Sequence, residues 1–103
     1  MKTKILIADD NEEFVRELSD YLGGKDEYDI VATAYDGEEA LEEINANRPD
    51  VVLLDIVMPK LDGYGVLEQI SGSTKVIVMS ALASGSFVTR AINLGAKYYM
   101  MKP

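Results

Sequence analysis

Asp9-Asp10, Asp55, Ser80 and Lys102 are the residues of this 103-residue chain whose types could do chemistry together. Each directly follows a short apolar run: Ile5 to Ala8, Val51 to Leu54, Val76 to Met79, and Tyr98 to Met101. Brought to one place, they present three carboxylates, a hydroxyl and an ammonium. Crowded carboxylates repel and raise one another's pKa unless a cation compensates. A hard cation with oxygen ligands is the natural compensator, and Mg²⁺ commonly takes one or two carboxylates, several waters and a phosphate oxygen. Such an ion would screen Asp55 and shield an incoming phosphoryl group. Phosphoryl transfer needs mainly an in-line nucleophile and neutralised equatorial oxygens. Asp55 could be that nucleophile, with the metal and Lys102 as neutralisers and Ser80 as a hydrogen-bond donor.

The elements that must position these groups alternate in type. Strands are expected over residues 4–8, 30–34, 51–54, 76–79 and 98–101. Phe14, Leu18, Tyr21 and Leu22 recur at helical spacing after a cap at Asp10 or Asn11, and Gly23-Gly24 stops that helix. Asp36-Gly37-Glu38-Glu39 opens a second helix like a capping box and Pro49 closes it. Residues 63–70 make a short third helix. Val88, Ala91 and Ile92 mark a fourth, with Gly95 as its C′ residue. Strand–helix alternation of this kind implies an α/β fold, a parallel sheet with helices on both faces. Ligands bind such sheets outside the carboxyl ends of the strands, where strand order reverses. That rim is where the five residues fall.

Composition narrows the rest. The length fits one domain, and 48% hydrophobic with 27% charged residues fits a cored domain with a water-compatible surface. There is no cysteine, which points to a reducing cytoplasm. No apolar run approaches the roughly 20 residues that span a bilayer, and the N-terminus is too short and acidic for a signal peptide. Net charge is −8 with no basic stripe, so no membrane contact and no direct nucleic-acid contact is expected of this domain. Histidine is absent, which removes His-based triads, His–metal sites and any phosphohistidine in cis. A histidine phosphoryl donor must sit on another protein.

Four stretches together resemble the response-regulator receiver family: Ala8-Asp9-Asp10-Asn11, Leu54 through Pro59 to Gly63, Ser80-Ala81, and Gly95 through Tyr99 to Lys102-Pro103. They occur in order and with compatible spacing over the whole chain. The resemblance implies a flavodoxin-like doubly wound sheet, order 2-1-3-4-5. It implies that Asp55 accepts a phosphoryl group from a histidine kinase or histidine phosphotransferase and that the domain controls an output, transcription or a phosphorelay. It implies Mg²⁺ held directly by Asp10, partly through water by Asp9, and by Asp55 and the Val57 carbonyl. Lys102 would contact the acceptor and its phosphate. Ser80 would turn toward that phosphate and Tyr99 would swing inward with it, a two-state switch biased by new charge. The Lys102–Pro103 bond would be cis. The pattern is also similar to sporulation regulators of endospore-forming bacteria.

Receivers carry a fifth helix after the Lys-Pro pair, and residues 1–103 stop short of it. Apolar surface beside the fourth and fifth strands should then be completed by a tail, a swapped helix or a partner subunit, for example in a homodimer through that side.

Plainer readings exist for each residue. Asp10 could cap the first helix with Glu13; Asp55 and Lys102 could form a structural ion pair. Ser80 could be a turn residue and Tyr99 a packed strand tyrosine. Competing functions fit less well. An aspartate-nucleophile phosphatase wants a second aspartate where Val57 stands. A flavodoxin-like electron carrier wants a phosphate-cradling loop where Asp9 to Glu13 would repel one. A receiver-shaped binding module that works without phosphorylation is the remaining alternative, although every acid the chemistry needs is present.

Overall fold

The computed structural model describes residues 1–70, 74–82 and 84–102. Nine elements alternate along the chain: β1 (Thr3–Ala8), α1 (Glu12–Gly23), β2 (Tyr28–Ala34), α2 (Gly37–Asn47), β3 (Val51–Leu54), α3 (Gly63–Gln69), β4 (Lys75–Ser80), α4 (Gly85–Asn93) and β5 (Tyr98–Met101). The five strands form one parallel sheet in the order β2-β1-β3-β4-β5, a flavodoxin-like α/β arrangement.

Strand alternation divides the core in two. Leu6, Val52, Leu54, Val76 and Val78 face the layer built from α2, α3 and α4, where Ala40, Ile44, Tyr64, Val66, Leu67 and Ala91 are buried. Ile5, Ile7, Leu53 and Met79 face the other way, onto Val15 of α1 with Phe14, Leu18 and Leu22. Tyr21, expected on that apolar stripe, is turned to water at 65% exposure. Its phenol lies beside Lys25 at the helix end instead. On β5, Tyr98 and Met100 are exposed on the α1 face and Met101 is exposed on the opposite face.

Local chemistry sets the helix starts. Asn11, not Asp10, caps α1: its side chain accepts from the Phe14 N–H at 3.1 Å, with Glu12 and Glu13 in the favourable first turn. Asp10 is thereby left free of capping. Asp36 caps α2 by accepting from the Glu39 N–H at 2.8 Å. The return arm reaches one residue further than a capping box would, since Glu39 accepts from the Tyr35 N–H at 3.1 Å. The short α3 is capped by Asp62, which accepts from the Gly65 N–H at 2.9 Å, and ends one residue before Ile70. Gly95 follows α4 with φ of 113°, a conformation that suits glycine in a C′ position.

These starts matter because β1, β3, β4 and β5 all deliver their carboxyl ends to one rim. The Asp55 N–H donates to the Ala8 carbonyl at 2.9 Å, which fixes the chain after β3 against the chain after β1. The Lys102 N–H donates to the Ser80 carbonyl at 2.9 Å, which does the same for β5 and β4.

Candidate functional site: an acidic cluster at the carboxyl rim of the sheet

Asp9, Asp10 and Asp55 converge there. One carboxylate oxygen from each lies within 4.8 Å of the others. Asp9 and Asp55 are buried and Asp10 is exposed, so the cluster is closed below and open to water on one side. Asp9 Oδ1 accepts from the Asn11 N–H at 2.9 Å. Asp9 Oδ2 is buried. Its counter-charge is the Lys102 ammonium, which pairs with it and also donates to Asp55 Oδ2 at 3.2 Å.

Burial, and next the negative charge of Asp9, push the Asp55 carboxyl above its usual range; Lys102 offsets part of this. Burial by itself lowers the Lys102 ammonium, but hydrogen bonding and attraction to Asp9 and Asp55 outweigh it, and the net shift is upward. The site is therefore short of positive charge: one ammonium faces three carboxylates. A hard divalent cation suits this donor set, which is all oxygen and includes two buried carboxylates that share a single ammonium. The Val57 side chain points to solvent at 58% exposure, two residues beyond Asp55 in the same loop. The expectation that its carbonyl ligates a cation rests on that place in the chain alone.

The loop carrying Asp55 is braced from α3 and α2. The Gly63 N–H donates to the Ile56 carbonyl at 2.8 Å. A Cβ at Gly63 would collide with the Asp55 carbonyl oxygen, so only glycine permits α3 to start this close to Asp55. Lys60, at φ of 69°, pairs with Asp36 at 3.6 Å and ties the same loop to the start of α2.

Ser80 ends β4 fully buried, but its hydroxyl is engaged with the chain beyond it. Oγ accepts from the Leu82 N–H at 3.1 Å. Tyr99 is already turned into the α4 layer, where it packs on the core and its hydroxyl donates to the Leu82 carbonyl at 2.7 Å. The structure thus brings Asp9, Asp10, Asp55 and Lys102 together, and sets Ser80, at the end of β4, and Tyr99, on β5, against Leu82 of the adjoining β4–α4 loop. Ala83 of that loop, and the Lys102–Pro103 bond expected to be cis, lie outside the described residues.

Two contributors escape sequence reasoning. Phe14 looked like a core residue of the α1 stripe, yet its ring lies 4.9 Å from Lys102 Nζ. Tyr64 is buried under α4, donates to the Phe87 carbonyl at 3.3 Å and carries the Arg90 guanidinium 4.0 Å from its ring. The only sequence signal for Tyr64 is an aromatic immediately after the loop glycine.

Comparison with known proteins fits this geometry. Residues 5–103 match the family model described as response regulator receiver domain. The signal receiver domain of the response regulator NarL from Mycobacterium tuberculosis is 32% identical, with 97% of this chain and 83% of that chain covered and a TM-score of 0.93. CheY of Borrelia burgdorferi, solved as a CheX-CheY-BeF3-Mg+2 complex, is 34% identical over 98% of this chain and 78% of that one, at a TM-score of 0.91. The response regulator domain of Thermotoga maritima CheB is 31% identical, covering 100% and 80%, at a TM-score of 0.94. With its sheet order, its acidic rim and a family match spanning nearly every residue, the chain belongs to the response regulator receiver domain family of two-component systems.

Proposed function

We propose that this domain is a phosphoacceptor switch in which Asp55 takes a phosphoryl group from a phosphohistidine on a histidine kinase or phosphotransferase, with Mg²⁺ as cofactor. The observation that carries the reading is the convergence of Asp9, Asp10 and Asp55 around one point with Lys102 paired to two of them. An Asp55 carboxylate oxygen attacks phosphorus and forms the new P–O bond. The bond from phosphorus to the donor nitrogen breaks, and its electron pair leaves with the donor imidazole. Asp9 and Asp10, with Asp55 and the Val57 carbonyl, would hold the ion. Bound there, Mg²⁺ supplies charge neutralisation for the equatorial phosphoryl oxygens. Lys102 holds the remaining negative charge from the β5 side. Ser80 gives up the Leu82 N–H and donates its hydroxyl to the phosphate, which alters the hold on the β4–α4 loop.

The cofactor assignment draws support from the Borrelia relative, which was solved with BeF3 and Mg+2. The domain acts in the cytoplasm and catalyses only its own phosphorylation and dephosphorylation. Its output is transcription or a phosphorelay, and its overall motif pattern, like that of sporulation regulators, suits either. Among the described residues no helix is long and apolar enough to cross a membrane.

The test is intact mass after incubation with a small acyl phosphate, with and without Mg²⁺. One added phosphoryl group that requires Mg²⁺ supports the reading. A folded protein that neither gains mass nor binds Mg²⁺ would favour a binding module that works without phosphorylation.

A further inference from the structure

Lys102 has a long, flexible stem, yet its ammonium is held between two buried carboxylates with only 18% of its side chain exposed. Nothing in its own strand explains that confinement, because β5 ends at Met101, and Tyr98 and Met100 beside it are open to water. Besides the two carboxylates, a side chain of α1 reaches it. Phe14 presents its ring to Lys102 Nζ at 4.9 Å from the centroid, within the range where a cation is attracted to an aromatic face. The ring is registered to the acidic cluster through the backbone. Asp9 Oδ1 accepts from the Asn11 N–H at 2.9 Å, and Asn11 Oδ1 accepts from the Phe14 N–H at 3.1 Å. The carboxylate that pairs with Lys102 therefore also fixes, through one cap, the ring that covers it.

We infer that Phe14 is a positioning residue for phosphoryl transfer, its ring face confining the Lys102 ammonium to the Asp9–Asp55 pair. The inference deepens the phosphoacceptor reading and rests on it for its kinetic consequence, though the contact itself does not. Phe14 also packs against the core on the α1 face, so loss of packing must be separated from loss of the π-face. Phe14→Leu keeps an apolar side chain and removes the ring; Phe14→Tyr keeps the ring.

Two measurements decide it on the full chain, with thermal melts confirming that both variants fold. In the NMR spectrum, the Lys102 Hε protons, assigned by their disappearance in Lys102→Met, should be shifted upfield by the ring in wild type and Phe14→Tyr. In Phe14→Leu they should return to the ordinary lysine position. The rate of phosphoryl uptake from an acyl phosphate at saturating Mg²⁺ should fall by about two- to fivefold in Phe14→Leu, the range a cation–π contact of this kind commands, and recover in Phe14→Tyr. Unshifted Lys102 protons in wild type, or equal rates in wild type and Phe14→Leu, would overturn the inference. If wild type takes up no phosphoryl group, the phosphoacceptor reading fails, and the ring shift alone then decides whether Phe14 positions Lys102.

Discussion

Ser80 and Tyr99 hold the two ends of one residue: the Ser80 hydroxyl accepts from the Leu82 N–H, and the Tyr99 hydroxyl donates to the Leu82 carbonyl. Leu82 lies between the acidic rim and the start of α4. The α4 N-cap, Ser84, makes no side-chain capping bond and instead shares a hydrogen bond with the Ser86 hydroxyl at 2.9 Å. Among the described residues, these two contacts on Leu82 and its packing on the core hold the loop. Removing the Tyr99 hydroxyl in Tyr99→Phe should cost about 0.5–1.5 kcal/mol and speed hydrogen exchange at Leu82 and in the first turn of α4. Unchanged exchange there would show that the bond does not restrain the loop.

Asp55 is ionised at a cost in the metal-free protein. Because its folded pKa is raised, the unfolded chain releases this proton first as pH increases. The contribution to stability is present below the ordinary carboxylate range and is lost as pH rises through the raised value. Metal-free Asp55→Asn should accordingly melt higher than wild type at neutral pH, and that part of the pH dependence should vanish. Thermal melts from acid to neutral pH check both.

Lys102 carries the opposite consequence. Its removal in Lys102→Met leaves the fully buried Asp9 carboxylate without its counter-charge. The expected loss is about 2 kcal/mol or more, below the full figure for a wholly buried pair because the ammonium retains some solvent contact. Urea unfolding with and without Mg²⁺ measures it, and Mg²⁺ should recover part of the loss.

Mg²⁺ itself should stabilise the wild type by mass action, by about 1.4 kcal/mol at ten times its dissociation constant. Asp9→Asn and Asp10→Asn should each weaken that effect. A melt shift that survives both changes would place the cation elsewhere.

Gly63→Ala probes the brace beneath Asp55. The new methyl meets the Asp55 carbonyl and the Ile56 Cα at 2.8 Å. A loss of about 1–3 kcal/mol is expected from the overpacking, together with slower phosphoryl uptake as Asp55 is displaced.

Much of this is legible in the sequence. The apolar runs ending at Asp9, Asp55, Ser80 and Lys102 gave both the parallel sheet and the rim, because a parallel sheet must bring such strand ends to one side. The strands β2 and β4 begin one or two residues earlier than apolar patterning predicts, at Tyr28 and Lys75, where pairing partners rather than side-chain type decide the boundary. Periodicity misplaced Tyr21, whose spacing fits the α1 stripe while its angular position lies just off it. It also gave Phe14 only a packing role, since a cation over a ring joins residues 88 positions apart and leaves no local pattern. The inward Tyr99 follows from a bond to a backbone carbonyl, an acceptor every residue carries.

The most direct measurement is borohydride trapping after acyl-phosphate treatment in Mg²⁺, followed by peptide mass spectrometry. Reduction of an aspartyl phosphate converts that residue to homoserine. Conversion at Asp55, with none at Asp9 or Asp10 and none in Asp55→Asn, is the expected result. Phosphoryl uptake that leaves Asp55 unreduced, or that persists undiminished in Asp55→Asn, would contradict Asp55 as the acceptor.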